Sequence, residues 1–315
     1  MTMDLIQLAA ARWEFAEDTL DLVAERENKI YSALDAKGRR FALRLHRDGY
    51  VTEQEILSEL AWADVLSADG VAVPSPLASA EGRLVECIDG RLFSALTWMP
   101  GRPMGEGGKP LALRDRQTVF RNIGIALAQL HSTSDGWSPP ATFVRRSWDL
   151  EGLLGEAPVW GRFWENPFLS DDDLSVITHA RAVTRAMLED IGPSLDYGLI
   201  HADALRENIL VDGTDVILID FDDSGYGYRL FEIATTLLRN NDEPDVADLT
   251  KALLEGYRTV RPLDTTYLPL FMVLRTFTYL GWIVPRIDEP EGHDRCALFV
   301  REAVDFSRRF LEENA

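Results

Sequence analysis

Cysteine is scarce in this chain: Cys87 and Cys296 are the only two in 315 residues, and they lie far apart. Neither a disulfide framework nor a zinc site is expected from such a pair. Basic residues are also few, 32 against 52 acidic, for a formal net charge of −20. A nucleic acid or an anionic membrane needs basic patches, so neither is an expected partner. The acidity suits a cationic substrate, and it suits a solubilising surface equally well. No hydrophobic run is long enough to span a bilayer comfortably. The most apolar stretch, 268–284, is interrupted by Arg275 and reads as a buried helix. Asp4 stands near the N-terminus with no cationic region before an apolar run, so no secretory signal is expected and a cytoplasmic location is. Glycine-rich phosphate loops are missing too. No Gly-x-Gly-x-x-Gly lies near Asn28, and the segment 103–110 fails as a phosphate loop because Pro103 and Pro110 replace its first glycine and its Ser/Thr. It reads as a flexible connection. What remains is 46% hydrophobic, enough for one large domain or a two-lobed unit with a real core.

The informative stretch is 199–222. It reads as a short apolar strand, a polar loop and a hairpin about the turn Asp212-Gly213-Thr214-Asp215. Polar groups sit at the strand ends: His201 and Asp203 after the first, Asn208 entering the second, Asp220 leaving the third. Carboxylates and an amide at adjacent strand ends can converge on one point. Hard oxygen ligands of that kind suit Mg²⁺ shared with substrate phosphates. A further carboxylate can orient or deprotonate a hydroxyl. The pattern points to phosphoryl transfer.

His201-x-Asp203-x-x-x-x-Asn208 followed by Ile219-Asp220-Phe221 resembles the catalytic and metal segments of the aminoglycoside phosphotransferase / choline kinase superfamily. The resemblance implies an α+β, two-lobed protein-kinase-like fold, with a small antiparallel-sheet N-lobe carrying one main helix and a larger, mostly helical C-lobe. It implies ATP and Mg²⁺ as cofactors and Asp203 as the catalytic base or hydroxyl-orienting group, with His201 supporting the loop by hydrogen bonding. Asn208 and Asp220 would hold the metal. The expected division is 1–96 for the nucleotide-binding lobe, 97–103 for a hinge and 104–315 for the catalytic and acceptor-binding lobe.

The rest of the chain fits that plan. Strands are expected at 29–34 and 40–46, the second alternating Phe41, Leu43 and Leu45 with Ala42, Arg44 and His46. A small residue two before a long cation suits a nucleotide cleft, with Ala42 against the base and Arg44 reaching the phosphates. The kinase pattern Val-Ala-Ile-Lys has Lys where this chain has Arg44. Thr52-x-x-Glu55 opens a helix to about residue 66. Glu59, inside it, resembles the glutamate that pairs with the strand cation. A hairpin spans 83–87 and 91–98. Thr97, Trp98 and Met99 begin the Pro- and Gly-punctuated hinge, where by resemblance backbone groups bind adenine. Helices are expected at 114–131, from Ser170 to about 190, and at 230–240, 245–258, 267–284 and 297–313. The segment 148–169 reads as an irregular, aromatic-rich insertion.

Few residues separate Asp220 from the next helix, so the long segment with which protein kinases dock peptides is absent and a small-molecule hydroxyl acceptor is expected. Asp222 and Asp223 are open between a second metal, a substrate amino group and helix capping. The run Gly198 to Asp203, with Leu253-Leu254-Glu255-Gly256-Tyr257 and Arg261-Pro262-Leu263, resembles the homoserine kinase-like branch. An amino alcohol or hydroxy amino acid is therefore the expected acceptor, and an aminoglycoside the second reading. A nucleotide-binding regulatory protein without transfer activity is the reading of another class; the intact Asp203, Asn208 and Asp220 weigh against it. Oligomeric state is open.

Overall fold

Period-two alternation along the first third of the chain builds a sheet with two different faces. The computed structural model describes residues 4–25 and 28–314. Strands β1 (Asp21–Glu25), β2 (Lys29–Leu34) and β3 (Arg40–Leu45) run antiparallel, and β6 (Arg91–Thr97) pairs with β3. β4 (Pro76–Leu77) and β5 (Val85–Ile88) both pair with β6, and the β5–β6 turn is Asp89-Gly90. Phe41, Leu43, Phe93 and Ala95 join Trp13 and Phe15 in one small core. The N-terminal segment thus covers one face of the sheet: α1 (Leu5–Arg12) packs there, and Trp13 donates its indole N–H to Leu77 O at 2.8 Å. The other face meets α2 (Glu53–Ala68), through Ile56 and Leu60 against Val85. Thr52 and Glu55 close the capping box as expected. The tip of the β1–β2 turn, residues 26–27, lies outside the described residues.

Thr97 ends β6, and Gly101, at φ +96°, turns the chain toward the second lobe. β7 (Arg102–Pro103) then pairs with β10 (Ile209–Asp212), which forms the hairpin with β11 (Asp215–Leu218). The connection after it is not loose: Gly107 N donates to Glu207 at 2.7 Å, and Arg206 donates to Lys109 O at 2.5 Å. The larger lobe contains α3 (Arg116–Gly136), α5 (Asp171–Ile191), α6 (Arg229–Leu238), α7 (Val246–Arg258), α8 (Leu268–Trp282) and α9 (Gly292–Glu313). α3 runs five residues beyond the expected end at 131, and α9 begins five before its expected start at 297. The insertion 148–169 contains the short α4 (Leu150–Leu154).

A third sheet was not expected from the sequence. β12 (Gly225–Tyr228) lies between β9 (Tyr197–Ile200), antiparallel to it, and β8 (Arg146–Trp148), parallel to it. A Cβ on Gly225 would sit 2.2 Å from Arg146 O, and one on Gly227 2.4 Å from Ile200 Cδ1. The Gly225-x-Gly227 pair therefore serves close strand packing. Among the described residues no helix is long and apolar enough to cross a membrane.

Candidate active site

β9 ends at Ile200, and the loop 201–208 returns the chain into β10. Two backbone amides at its start point inward. His201 N donates to Glu232 Oε2 at 2.5 Å and Ala202 N to Glu232 Oε1 at 3.1 Å. Glu232 is fully buried on α6, and burial pushes its carboxyl pKa up against the pull of His201 and these amides. Ala202 adopts φ +65°, a conformation that L-residues seldom take without local support. The buried Glu232 supplies that support. His201 is also wholly buried: its Nε2 meets Ile219 O at 2.9 Å, and Asp203 N donates to its Nδ1 at 3.3 Å. Burial keeps the ring below its ordinary pKa, so it is a neutral imidazole that braces the loop against the strand leading to Asp220.

Asp203 follows. Its Oδ2 accepts from Asn208 Nδ2 at 2.8 Å, and its Oδ1 from Arg275 Nη2 at 2.9 Å. Burial raises its pKa to about 8, with Arg275 opposing and the Asp223 and Asp220 carboxylates adding to the rise. Asn208 Nδ2 also donates to Asp203 O at 3.0 Å, which turns its Oδ1 the other way. Asp220, at φ +65°, holds an exposed carboxylate whose Oδ1 lies 3.4 Å from Arg44 Nη2. Asn208 Oδ1 and Asp220 Oδ2 thus take no hydrogen bond from the described residues. Two hard oxygens left without a donor are of the kind that suits a divalent cation completed by phosphates.

The cation of β3 faces the same cleft. Arg44 is 3% exposed and forked between Glu59 Oε1 and Asp222 Oδ1, each at 2.6 Å. Its burial disfavours the charge, but Asp222, Glu59 and Asp220 more than restore it and raise its pKa. Asp222 also accepts from Asn28, the residue that follows the β1–β2 turn. Burial works against its charge as well, and Arg44, His46 and Arg145 still hold it below the ordinary carboxylate range. Asp222 is therefore a tie between lobes, while Asp223 pairs with Arg146 at 2.6 Å. Arg145 gathers the carbonyls of Phe221, Asp222 and Ser224 at 2.5–2.9 Å and fixes the segment after Asp220. Ala42, half-buried, lies two residues before Arg44 on the same side of β3. Thr97 is bound into the ladder edge through Ser75 N at 2.8 Å, and Trp98 stacks under Arg40 at 3.8 Å. Trp98 and Met99 lie past the end of the strand.

The structure therefore joins Asp203 to Asn208 and Arg44 to Glu59, Asp220 and Asp222, with the Asp220 carboxylate acting on Asp203 as well; Ala42 pairs with Leu96 beside Thr97, and Trp98 and Met99 follow that strand end. Sequence reading passed over Arg275, Glu232, Arg145 and the lobe-tying role of Asp222. For Arg275 one signal existed: a lone charge inside the most apolar helix of the chain.

Two lobes meeting at a cleft that holds a loop aspartate, an asparagine five residues on and an aspartate leaving a hairpin define a protein-kinase-like phosphotransferase. The chain belongs to the phosphotransferase enzyme family, whose model matches residues 20–266. It is 30% identical to a microcompartment-associated aminopropanol kinase of known structure, at a TM-score of 0.84 over 98% of this chain and 97% of that one. An amicoumacin kinase solved in complex with AMP-PNP, Ca²⁺ and Ami shares the fold at a TM-score of 0.78, 23% identical over 95% of this chain and 92% of that one. A homoserine kinase of Neisseria meningitidis serogroup B is 29% identical over 212 residues, 63% of this chain and 60% of that one.

Proposed function

We propose that the chain transfers the γ-phosphoryl group of ATP to the hydroxyl of a small amino alcohol. The observation that carries this reading is the fixed carboxylate of Asp203, set in one cleft with the available oxygens of Asn208 and Asp220. The similarity to an aminopropanol kinase supports the acceptor class, and the homoserine kinase match supports a hydroxy amino acid as the second choice.

In this mechanism Arg44, held by Glu59 and Asp222, fixes the nucleotide phosphates, and backbone groups of 97–99 hold the adenine. Asn208 and Asp220 would hold a divalent cation, Mg²⁺ by family resemblance. Bound there, such an ion supplies neutralisation of phosphate charge. Asp203 accepts a hydrogen bond from the acceptor hydroxyl, aims its oxygen along the transfer axis and takes up the proton as the bond forms. His201 holds the loop that carries it.

The test is ADP release with Mg²⁺ across aminopropanol, ethanolamine, L-homoserine and an aminoglycoside, with Asp203→Asn as control. Stimulation by aminopropanol, lost by roughly 100-fold or more in the variant, is expected. Turnover retained in Asp203→Asn removes Asp203 from its role. Stimulation by L-homoserine alone moves the acceptor to the hydroxy amino acids.

A further inference from the structure

Arg275 lies in the middle of α8, a helix otherwise made almost wholly of apolar residues, and is fully buried. A buried charge is costly unless paired, and hydrophobic side chains in place of a whole buried ion pair commonly serve stability as well or better. Its partners therefore say what it does. Nη1 donates to Ala202 O at 3.2 Å, and Nη2 to Asp203 Oδ1 at 2.9 Å and to the Tyr279 hydroxyl at 3.0 Å. The rings of Tyr279, Trp160 and Phe231 lie 4.5, 4.8 and 5.4 Å from its guanidinium carbon. Such neighbours restrict the rotation of the planar fork. Nε has no hydrogen-bond partner among the described residues. A group oriented for its own satisfaction would not leave that donor unused; the fork is turned toward the loop instead.

We propose that Arg275 is a positioning residue for phosphoryl transfer, fixing the rotation of the Asp203 carboxylate and the Ala202–Asp203 backbone from α8. Asn208 grips one carboxylate oxygen from within the loop and Arg275 grips the other from a helix 72 residues further on. Neither grip alone defines the plane of the carboxylate; both together do. Because Trp160 comes from the insertion 148–169 and Tyr279 from α8, the same cage couples those elements to Asp203. The inference rests on the role of Asp203 given above.

Arg275→Met and Arg275→Lys are assayed for ADP release on aminopropanol and L-homoserine, beside Asp203→Asn and with the thermal midpoint of each variant. In Arg275→Met, kcat falls by roughly 100-fold while the KM for ATP stays within about twofold, and the variant, though its midpoint falls, is folded at the assay temperature. Arg275→Lys recovers part of the loss, since one ammonium can reach the carboxylate without also spanning Ala202 O. An Arg275→Met enzyme with kcat within about threefold of the parent overturns the inference. So does joint loss of kcat, ATP affinity and thermal midpoint in both variants, which marks a merely structural arginine. If Asp203→Asn keeps its turnover, it is the assignment of Asp203 that falls; if that variant is dead and Arg275→Met is not, the inference falls alone.

Discussion

Arginine at position 44 does something a lysine cannot. Its two terminal nitrogens reach Glu59 and Asp222 separately, each at 2.6 Å, so one side chain joins α2 to the segment after Asp220. A single ammonium is a point charge that can satisfy one such partner well, at the expense of the other. Arg44→Lys is therefore expected to raise the KM for ATP by about tenfold, roughly 1.4 kcal/mol, with a smaller effect on kcat. Steady-state kinetics with varied ATP checks it; an unchanged KM would show that the fork is dispensable for nucleotide binding. The same logic explains Asp222. Its contacts with Asn28 and Arg44 leave it no part in capping α6, for which Tyr228 stands at the N-cap.

Among the elements, β12 decides how the site is assembled. It carries the chain from Asp220 directly into α6, so that Glu232 on that helix arrives beneath the loop bearing Asp203. Its parallel pairing with β8 brings Arg145, next to that strand, against the carbonyls of 221–224. The pairing depends on Gly225, because the Arg146 carbonyl is backbone and cannot swing away from an added methyl. Gly225→Ala is expected to cost roughly 2–3 kcal/mol and to lower the thermal midpoint. Gly136→Ala is the matched control, since nothing lies within 4 Å of its Cβ position, and its midpoint should hold or rise. Equal midpoints for the two variants would show that β8 can yield. Little in the sequence marked β12 as a strand: its two glycines disfavour one although its two tyrosines suit one, and its partners come from residues about 30 and 80 positions earlier.

At the scale of the whole molecule, the lobes are tied by more than the chain that runs between them. Trp62 and Leu66 of α2, with Val71 and Val73, belong to the large core otherwise built by the C-terminal lobe. Asn28 and Arg44 hold Asp222 across the cleft. A single calorimetric unfolding transition is expected, shifted upward by a few degrees with ATP and a divalent cation. At a hundredfold excess over Kd such binding stabilises by about 2.7 kcal/mol. Two well-separated transitions would show lobes that unfold independently. What the sequence by itself determined was local: the strand–loop–hairpin that carries Asp203, Asn208 and Asp220, the α2 cap at Thr52, the alternation of β3 and hence the side of the sheet from which Arg44 points. These features rest on contacts between residues a few positions apart, where spacing and turn chemistry are sufficient. The tertiary structure decided which of many arginines and glutamates the site uses. Arg275, Arg145 and Glu232 reach it from three separate places, α8, the residue before β8 and α6. A buried charge finds its partner only once helix packing has excluded water and brought the two together, and no spacing along the chain records that choice.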